Sequence, residues 1–244
     1  MRRLDQLLSS LGYCSRKQAQ ALCDAGRVSV GGAPLDDASR KVEPSQVKLD
    51  DAPLEFPEGL LVLLHKPLGV VCSHDSREGP RVYELLPERW QRRDPKVTTI
   101  GRLDKDTSGL LLLTDQGALV QRLTSPRHHV VKVYLATLDR EPTAEMTAAF
   151  AQGVELTEDG ERVKTLPAVL RALGEHRAEV TLHEGRYHQV RRMFAAVGAH
   201  VSALERTRFG EWTLGDLPPG KWKALPLPQA SGTSSKAAST DAPG

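Results

Sequence analysis

The stretch IGRLDKDTSGLLLLTDQG, residues 100–117, reads as the end of one strand, a polar turn and a second strand. The turn holds Arg102, Asp104, Lys105, Asp106, Thr107 and Ser108, and the four leucines at 110–113 have no polar face. A short, uninterrupted apolar run suits a strand buried on both sides and cannot cross a membrane. Working outward, LLVLLHKP (60–67), GVVCS (69–73) and VTTIG (97–101) are further apolar strands separated by turn signals. VVKVYLATL (130–138) alternates, and AEVTLHEGRYH (178–188) reads as another strand. Helices are predicted over 116–125, stopped by Pro126, over 142–154 and over 189–200. No strand-then-helix repeat with a glycine-rich turn occurs, which argues against a dinucleotide-binding fold. The pattern is that of an α+β domain, a mixed or antiparallel sheet with helices around it.

Upstream, Leu4, Leu7, Leu8 and Leu11 recur at helical spacing, so 3–11 is a short amphipathic helix ended by Gly12. Ser15 is placed to cap a second helix over about 16–25, with Gly26 as its terminator. Val28 and Val30 then alternate, and Gly31-Gly32 is a hairpin signal. Residues 1–48 thus form a small helix–helix–hairpin unit. The proline- and acid-rich stretch 43–58 leads out of it, with 49–58 read as a hinge before a larger domain at 59–228. The Ser/Ala/Thr/Gly-rich tail, 229–244, reads as disordered.

With 39% hydrophobic and 26% charged residues, the 244-residue chain is not a mainly disordered protein. It has no apolar run of membrane-spanning length, and Asp5 interrupts any signal-peptide core. Cys14, Cys23 and Cys72 form no C-x-x-C pair, which argues against a disulfide framework or a zinc site and fits a cytoplasmic setting. Net charge is only +2, but it is unevenly placed. Arg2, Arg3, Arg16, Lys17 and Arg27 outweigh Asp5 and Asp24 at the start of the chain. Residues 116–138 hold Arg122, Arg127 and Lys132 and no acid; residues 185–208 hold five arginines against Glu205. Three basic segments on a near-neutral chain suggest one positive surface assembled in space. Ordinary solvated charge would look the same segment by segment.

Asp104, flanked by Arg102 and Lys105, should stay ionised, because neighbouring cations favour the charged form. That suits a nucleophile better than a general acid. Asp, Ser and Gly are also ordinary turn residues, and the spacing alone does not separate the two readings. A calcium loop starting at Asp104 is disfavoured: its last position is Asp115 rather than Glu, Lys105 adds repulsion, and no helix precedes it. His183 and His188 lack a third ligand for zinc.

Two resemblances extend this reading. RRLDQLLSSLGYCSRKQAQALCDAGRVSVGGAPL resembles the S4 RNA-binding domain, through the Ser-Arg opening of its second helix and its Gly-Arg-Val-x-Val-Gly-Gly segment. GRLDKDTSGLLLLT is similar to the motif around the catalytic aspartate of RNA pseudouridine synthases. HKPLG (65–69), KVY (132–134) and EGRYHQVRRMFAAVG (184–198) resemble that family's other motifs, in order. The resemblance runs from residue 1 to about 228 and lies closest to the branch acting on small-subunit ribosomal RNA.

The resemblance implies isomerisation of a uridine in that RNA to pseudouridine, without cofactor or metal. Large-subunit RNA as the target, or a non-catalytic ribosomal-RNA-binding assembly factor, are the alternatives. It implies Asp104 as nucleophile, Tyr134 as the ring stacking on the target base, and Arg191 as the basic residue facing the aspartate through a buried ion pair. Arg192 is the neighbour to consider if the register differs. Whether the carboxylate adds to the sugar, adds to the base or assists elimination stays open. Arg102, Lys132, Arg186, His188, Gln189 and Arg192 are candidate substrate contacts. Arg2, Arg3, Arg16, Lys17, Arg27 and Arg127 are candidate phosphate contacts, which position RNA and make its binding salt-dependent. On the residues alone, Tyr134 could equally be a core ring, and His188 and Gln189 could be caps. The expected partner is ribosomal RNA or the assembling small subunit, with no membrane and a monomeric enzyme.

Overall fold

In the computed structural model, which describes residues 1–158 and 160–228, the leucines at 110–113 lie in the interior of a nine-stranded sheet. Its main strands are β1 (Leu61–Lys66), β2 (Thr98–Ile100), β3 (Ser108–Thr114), β4 (Lys132–Leu138), β5 (Val169–Gly174), β6 (Arg177–Leu182), β7 (Val201–Phe209) and β8 (Trp222–Ala224). They run in the order β5-β6-β4-β7-β3-β1-β8, with β2 beside β3 and the short strand Trp212–Thr213 beside β7. The β7–β3 pair is parallel and the other ladders are antiparallel, so the sheet is mixed, as the sequence predicts.

Period-two geometry explains the unbroken apolar runs of β1 and β3. Val62, Leu64, Leu111 and Leu113 pack on one side with Trp90 and Val97. Leu61, Leu63, Leu110 and Leu112 pack on the other with Leu119 and Phe209. Leu119 belongs to helix α3 (Gly117–Thr124), which follows the α1 (Leu4–Ser10) and α2 (Arg16–Asp24) helices of the N-terminal unit. At the other end of the sheet, α4 (Ala144–Gln152) and α5 (Gln189–Ala196) bury Phe150, Met193 and Phe194 against β4, β6 and β7. The parallel junction depends on Gly109: at φ +108°, a Cβ there would lie 2.3 Å from the Arg206 carbonyl oxygen.

The N-terminal unit has its own core, with Leu4, Leu7 and Leu8 of α1 fully buried against Ala19, Val28 and Val47. Gln18 closes the start of α2 by accepting from the Ser15 backbone N–H at 2.9 Å. Gly31 and Gly32, both at positive φ, form the two-residue turn between Val28–Val30 and Ala33–Pro34.

Several expectations need correction. Residues 69–73 are not a strand: Val71 makes one isolated bridge to Arg81, and the Gly69 N–H turns away to donate to the Lys105 carbonyl. The strand over 178–188 ends at Leu182, and 183–188 is a loop whose last residue, His188, is left-handed at φ +48°. The segment 49–58 is tied down at both ends. Ala52–Pro53 pairs with Lys48–Leu49, the Glu55 N–H donates to the Tyr13 hydroxyl, and the Arg93 guanidinium donates to the Glu55 and Phe56 carbonyls. The edge strands β5 and β8, the strand β7 and the Glu155–Glu158/Glu161–Lys164 hairpin were not foreseen. The tail expected to be disordered lies outside the described residues.

Candidate active site

The turn between β2 and β3 is fastened from three directions. Within it, the Thr107 N–H donates to the Asp104 carbonyl at 3.1 Å. From below, the Lys66 ammonium, fully buried at the end of β1, donates to the Thr107 carbonyl at 2.8 Å and the Pro67 carbonyl at 3.0 Å. Desolvation pushes the Lys66 pKa down, and the negative charges of Asp104 and Asp106 oppose that shift. From the side, Arg191 on α5 donates to the Asp106 and Val201 carbonyls and pairs with the Asp106 carboxylate at 3.1 Å. The turn is therefore a rigid mount.

Asp104 projects from that mount into a cavity of about 500 Å³. Tyr134 and Lys132 of β4, the loop 183–188, and Leu204, Arg206 and Phe209 of β7 form the other walls. The Asp104 carboxylate is one-third exposed, and its Oδ1 lies 3.2 Å from His188 Nε2. The His188 ring is stacked on Tyr187, with centroids 3.9 Å apart, and Tyr187 is itself exposed. Lys132 has its pKa pushed down to about 8, first by burial and then by the nearby Arg206 charge.

The cavity brings together Asp104, Tyr134 and Arg191, and also Arg102, Lys132, Arg186, His188 and Gln189. Their roles differ from expectation in three respects. The Arg191–Asp104 ion pair does not form: Asp106, two residues further on, takes the guanidinium, and His188 stands beside Asp104 instead. Arg192 does not line the cavity, because Glu158 and the Thr157 and Tyr187 carbonyls hold it. Gln189 is buried and spends its amide on the loop, accepting from the Arg186 N–H and donating to Glu184. The guanidinium of Arg186 is likewise paired with Glu158 and Glu184.

Of the candidate phosphate contacts, Arg3 and Arg16 share the carboxylate of Asp5, and Arg27 pairs with Asp50 at 2.6 Å. Arg2 donates to the Ser10 hydroxyl and is exposed, as are Lys17 and Arg127. Arg127 sits in the turn Pro126–His128, at the cavity's edge beside the lining residue Pro126.

Sequence reasoning passed over Arg206, which is buried in the cavity wall. The buried positions of β7 are Val201, Leu204, Arg206 and Phe209, which follow no regular strand period, so nothing in the sequence marked the arginine. Among the described residues, no group of three or more His, Cys, Asp or Glu side chains could hold a metal ion, and no helix is long and apolar enough to cross a membrane.

Comparison with known proteins gives the family. The RNA pseudouridylate synthase family model matches residues 60–196, and the S4 domain model matches residues 2–48. The chain is 43% identical to the ribosomal small subunit pseudouridine synthase A of Escherichia coli strain K12 over 229 residues, covering 91% of this chain and 96% of that protein. It is 37% identical to the protein of the same name in Pasteurella multocida, at 91% and 95% coverage. A crystal structure of a pseudouridylate synthase superposes with a TM-score of 0.64 at 35% identity, covering 93% of this chain and 96% of the other.

Proposed function

The chain belongs to the RNA pseudouridylate synthases and carries an S4 domain, and from that premise we propose that it isomerises a uridine of small-subunit ribosomal RNA with Asp104 as nucleophile. The observation that carries the reading is one carboxylate on a rigid turn, opening into a cavity with Tyr134 on its wall and cations around it. A base inside a folded RNA must leave its stack to reach such a site, and an aromatic wall returns part of the lost stacking, about 1–3 kcal/mol. Tyr134 supplies that wall. The N1–C1′ bond breaks, the base turns, C5 bonds to C1′, the C5 hydrogen leaves as a proton and N1 takes one up; the product is an isomer of the substrate.

Arg191 acts on this chemistry at one remove. By holding Asp106 and Val201 it fixes the turn that presents Asp104. The exposed cations Arg2, Lys17, Arg102 and Arg127 contact RNA phosphates and set its register. The targets named for the relatives favour small-subunit RNA.

The test is pseudouridine mapping across both ribosomal RNAs from cells with and without the gene. The reading expects one small-subunit uridine to lose its modification. Loss at a large-subunit position would reassign the target, and an unchanged map would remove the catalytic reading.

A further inference from the structure

Arg206 is 2% exposed, and its Nε donates to the Leu110 carbonyl at 2.8 Å, yet one terminal guanidinium nitrogen is buried with no partner among the described residues. Its guanidinium carbon lies 5.0 Å from the centre of the Phe209 ring, and the Lys132 ammonium lies 5.6 Å from the same centre. Lys132 donates to the Val130 carbonyl at 3.0 Å. Among the described residues neither cation has a carboxylate within ion-pair distance, whereas Arg186, Arg191 and Arg192 nearby are all paired. Two cations over one phenyl ring, one buried and one half-buried, with the nearest counter-charge, Glu184, acting on Lys132 from beyond ion-pair distance, are costly to hold there. The arrangement makes sense if an anion arrives with the substrate.

Position identifies that anion. Arg206 is the cross-strand neighbour of Tyr134 in the β4–β7 ladder, so it sits at the depth of the stacking ring. A polynucleotide backbone continues in both directions and must stay at the rim. The base is the part of a flipped nucleotide that reaches this deep.

We propose that Arg206, assisted by Lys132, is the anion-stabilising group for the uracil ring during its detachment and turning. This rests on the isomerase reading above. When the N1–C1′ bond breaks heterolytically, its electron pair leaves with the base, and the charge spreads over N1, O2 and O4. Addition of the carboxylate to the base would likewise place charge on a ring oxygen. The free guanidinium N–H of Arg206 donates to a ring carbonyl oxygen as that charge develops. C5–C1′ bond formation uses that electron pair, and after the C5 proton departs N1 takes up a proton, which leaves the product base neutral. A preorganised donor in a buried site is worth most where charge appears only in the transition state.

The test compares full-length wild type with Arg206→Gln and Arg206→Lys on small-subunit RNA transcripts. One transcript carries C5-tritiated uridine. The other carries 5-fluorouridine, whose fluorine itself stabilises the base anion, and is read as adduct plus rearranged nucleoside. Arg206→Gln should slow the single-turnover rate on uridine by about 100- to 1000-fold. RNA affinity should stay within about threefold, and the loss on 5-fluorouridine should be at least about tenfold smaller. Arg206→Lys should fall between wild type and Gln. Equal losses on both transcripts, or a loss seen only as weaker RNA binding, would overturn the proposal. If both Arg206 variants fail to fold, Lys132→Gln gives the same comparison of rates, with the same two outcomes. A wild-type enzyme inactive on both transcripts would sink the reading of a small-subunit RNA isomerase, which separates the two failures.

Discussion

His188 Nε2 stands 3.2 Å from Asp104 Oδ1, on a backbone turned to φ +48° immediately before α5. A residue with a side chain rarely adopts that conformation unless its surroundings impose it. Here the loop's own bonds impose it, through Arg186, Gln189 and Glu184. The imidazole is thereby placed on the carboxylate that the reading makes the nucleophile.

Asparagine tolerates the left-handed conformation, so His188→Asn should keep the loop while removing the ring. With Asp104 no longer held, the single-turnover rate should drop by about 10- to 100-fold while RNA affinity changes little. A rate equal to wild type would mean the contact does not orient Asp104.

Lys132 predicts a pH dependence. Its folded pKa of about 8 lies below the ordinary lysine value of 10.5, so the half-buried ammonium is charged below pH 8 and neutral above it. Activity should decline as pH rises through 8, as a cavity cation is lost. Lys132→Arg should extend the plateau to higher pH, because a guanidinium does not titrate there. The stability effect has the opposite sign. A depressed lysine pKa means that protonation disfavours the folded state, so Lys132's contribution to stability improves as pH rises from about 8 toward 10.5. A rate profile with the same fall in Lys132→Arg as in wild type would show that Lys132 is not the group responsible.

The buried pair Arg93–Asp115 joins the segment before β2 to the end of β3, at 2.8 Å with both side chains nearly inaccessible. Asp115 also accepts from the Leu60 N–H and the Gln116 amide. Arg93→Met should cost about 3–5 kcal/mol in chemical denaturation, because it strands the carboxylate in the interior. A loss under about 1 kcal/mol would mean that water reaches Asp115.

Gly109→Ala tests the parallel junction that carries Arg206. The new methyl would meet the Arg206 carbonyl at a φ that disfavours any side chain. Strain and overpacking together should cost about 3 kcal/mol or more, visible as a lowered denaturation midpoint. An unshifted midpoint would show that β3 and β7 can separate freely.

Much of the molecule was legible because its signals are local. The i, i+3, i+4, i+7 leucines of α1, the Ser15 start of α2, the Gly31-Gly32 turn and the buried runs of β1 and β3 each state their conformation within a few residues. Asp104 was singled out by its flanking cations and by the motif resemblance around it, since spacing alone left an ordinary turn open. What escaped depends on distant partners. Val71 and Cys72 have strand-forming side chains, but the Val71 N–H donates to the Pro80 carbonyl, the Val71 carbonyl accepts from the Val82 N–H, and the Cys72 carbonyl accepts from the Tyr83 hydroxyl. Exposed β5 has only one buried residue, Leu170, and shows no clean alternation. The choice of Asp106 over Asp104 by Arg191 is decided by the shape of one turn, and the importance of Arg206 by a ladder to β4 that no sequence spacing reveals.

The account stands or falls on the carboxylate of Asp104. Tritium release from C5-labelled uridine in small-subunit RNA should proceed with wild-type protein. It should be undetectable with Asp104→Asn, which matches the side chain's size and should leave RNA affinity intact. Release by Asp104→Asn at the wild-type rate would contradict the mechanism outright.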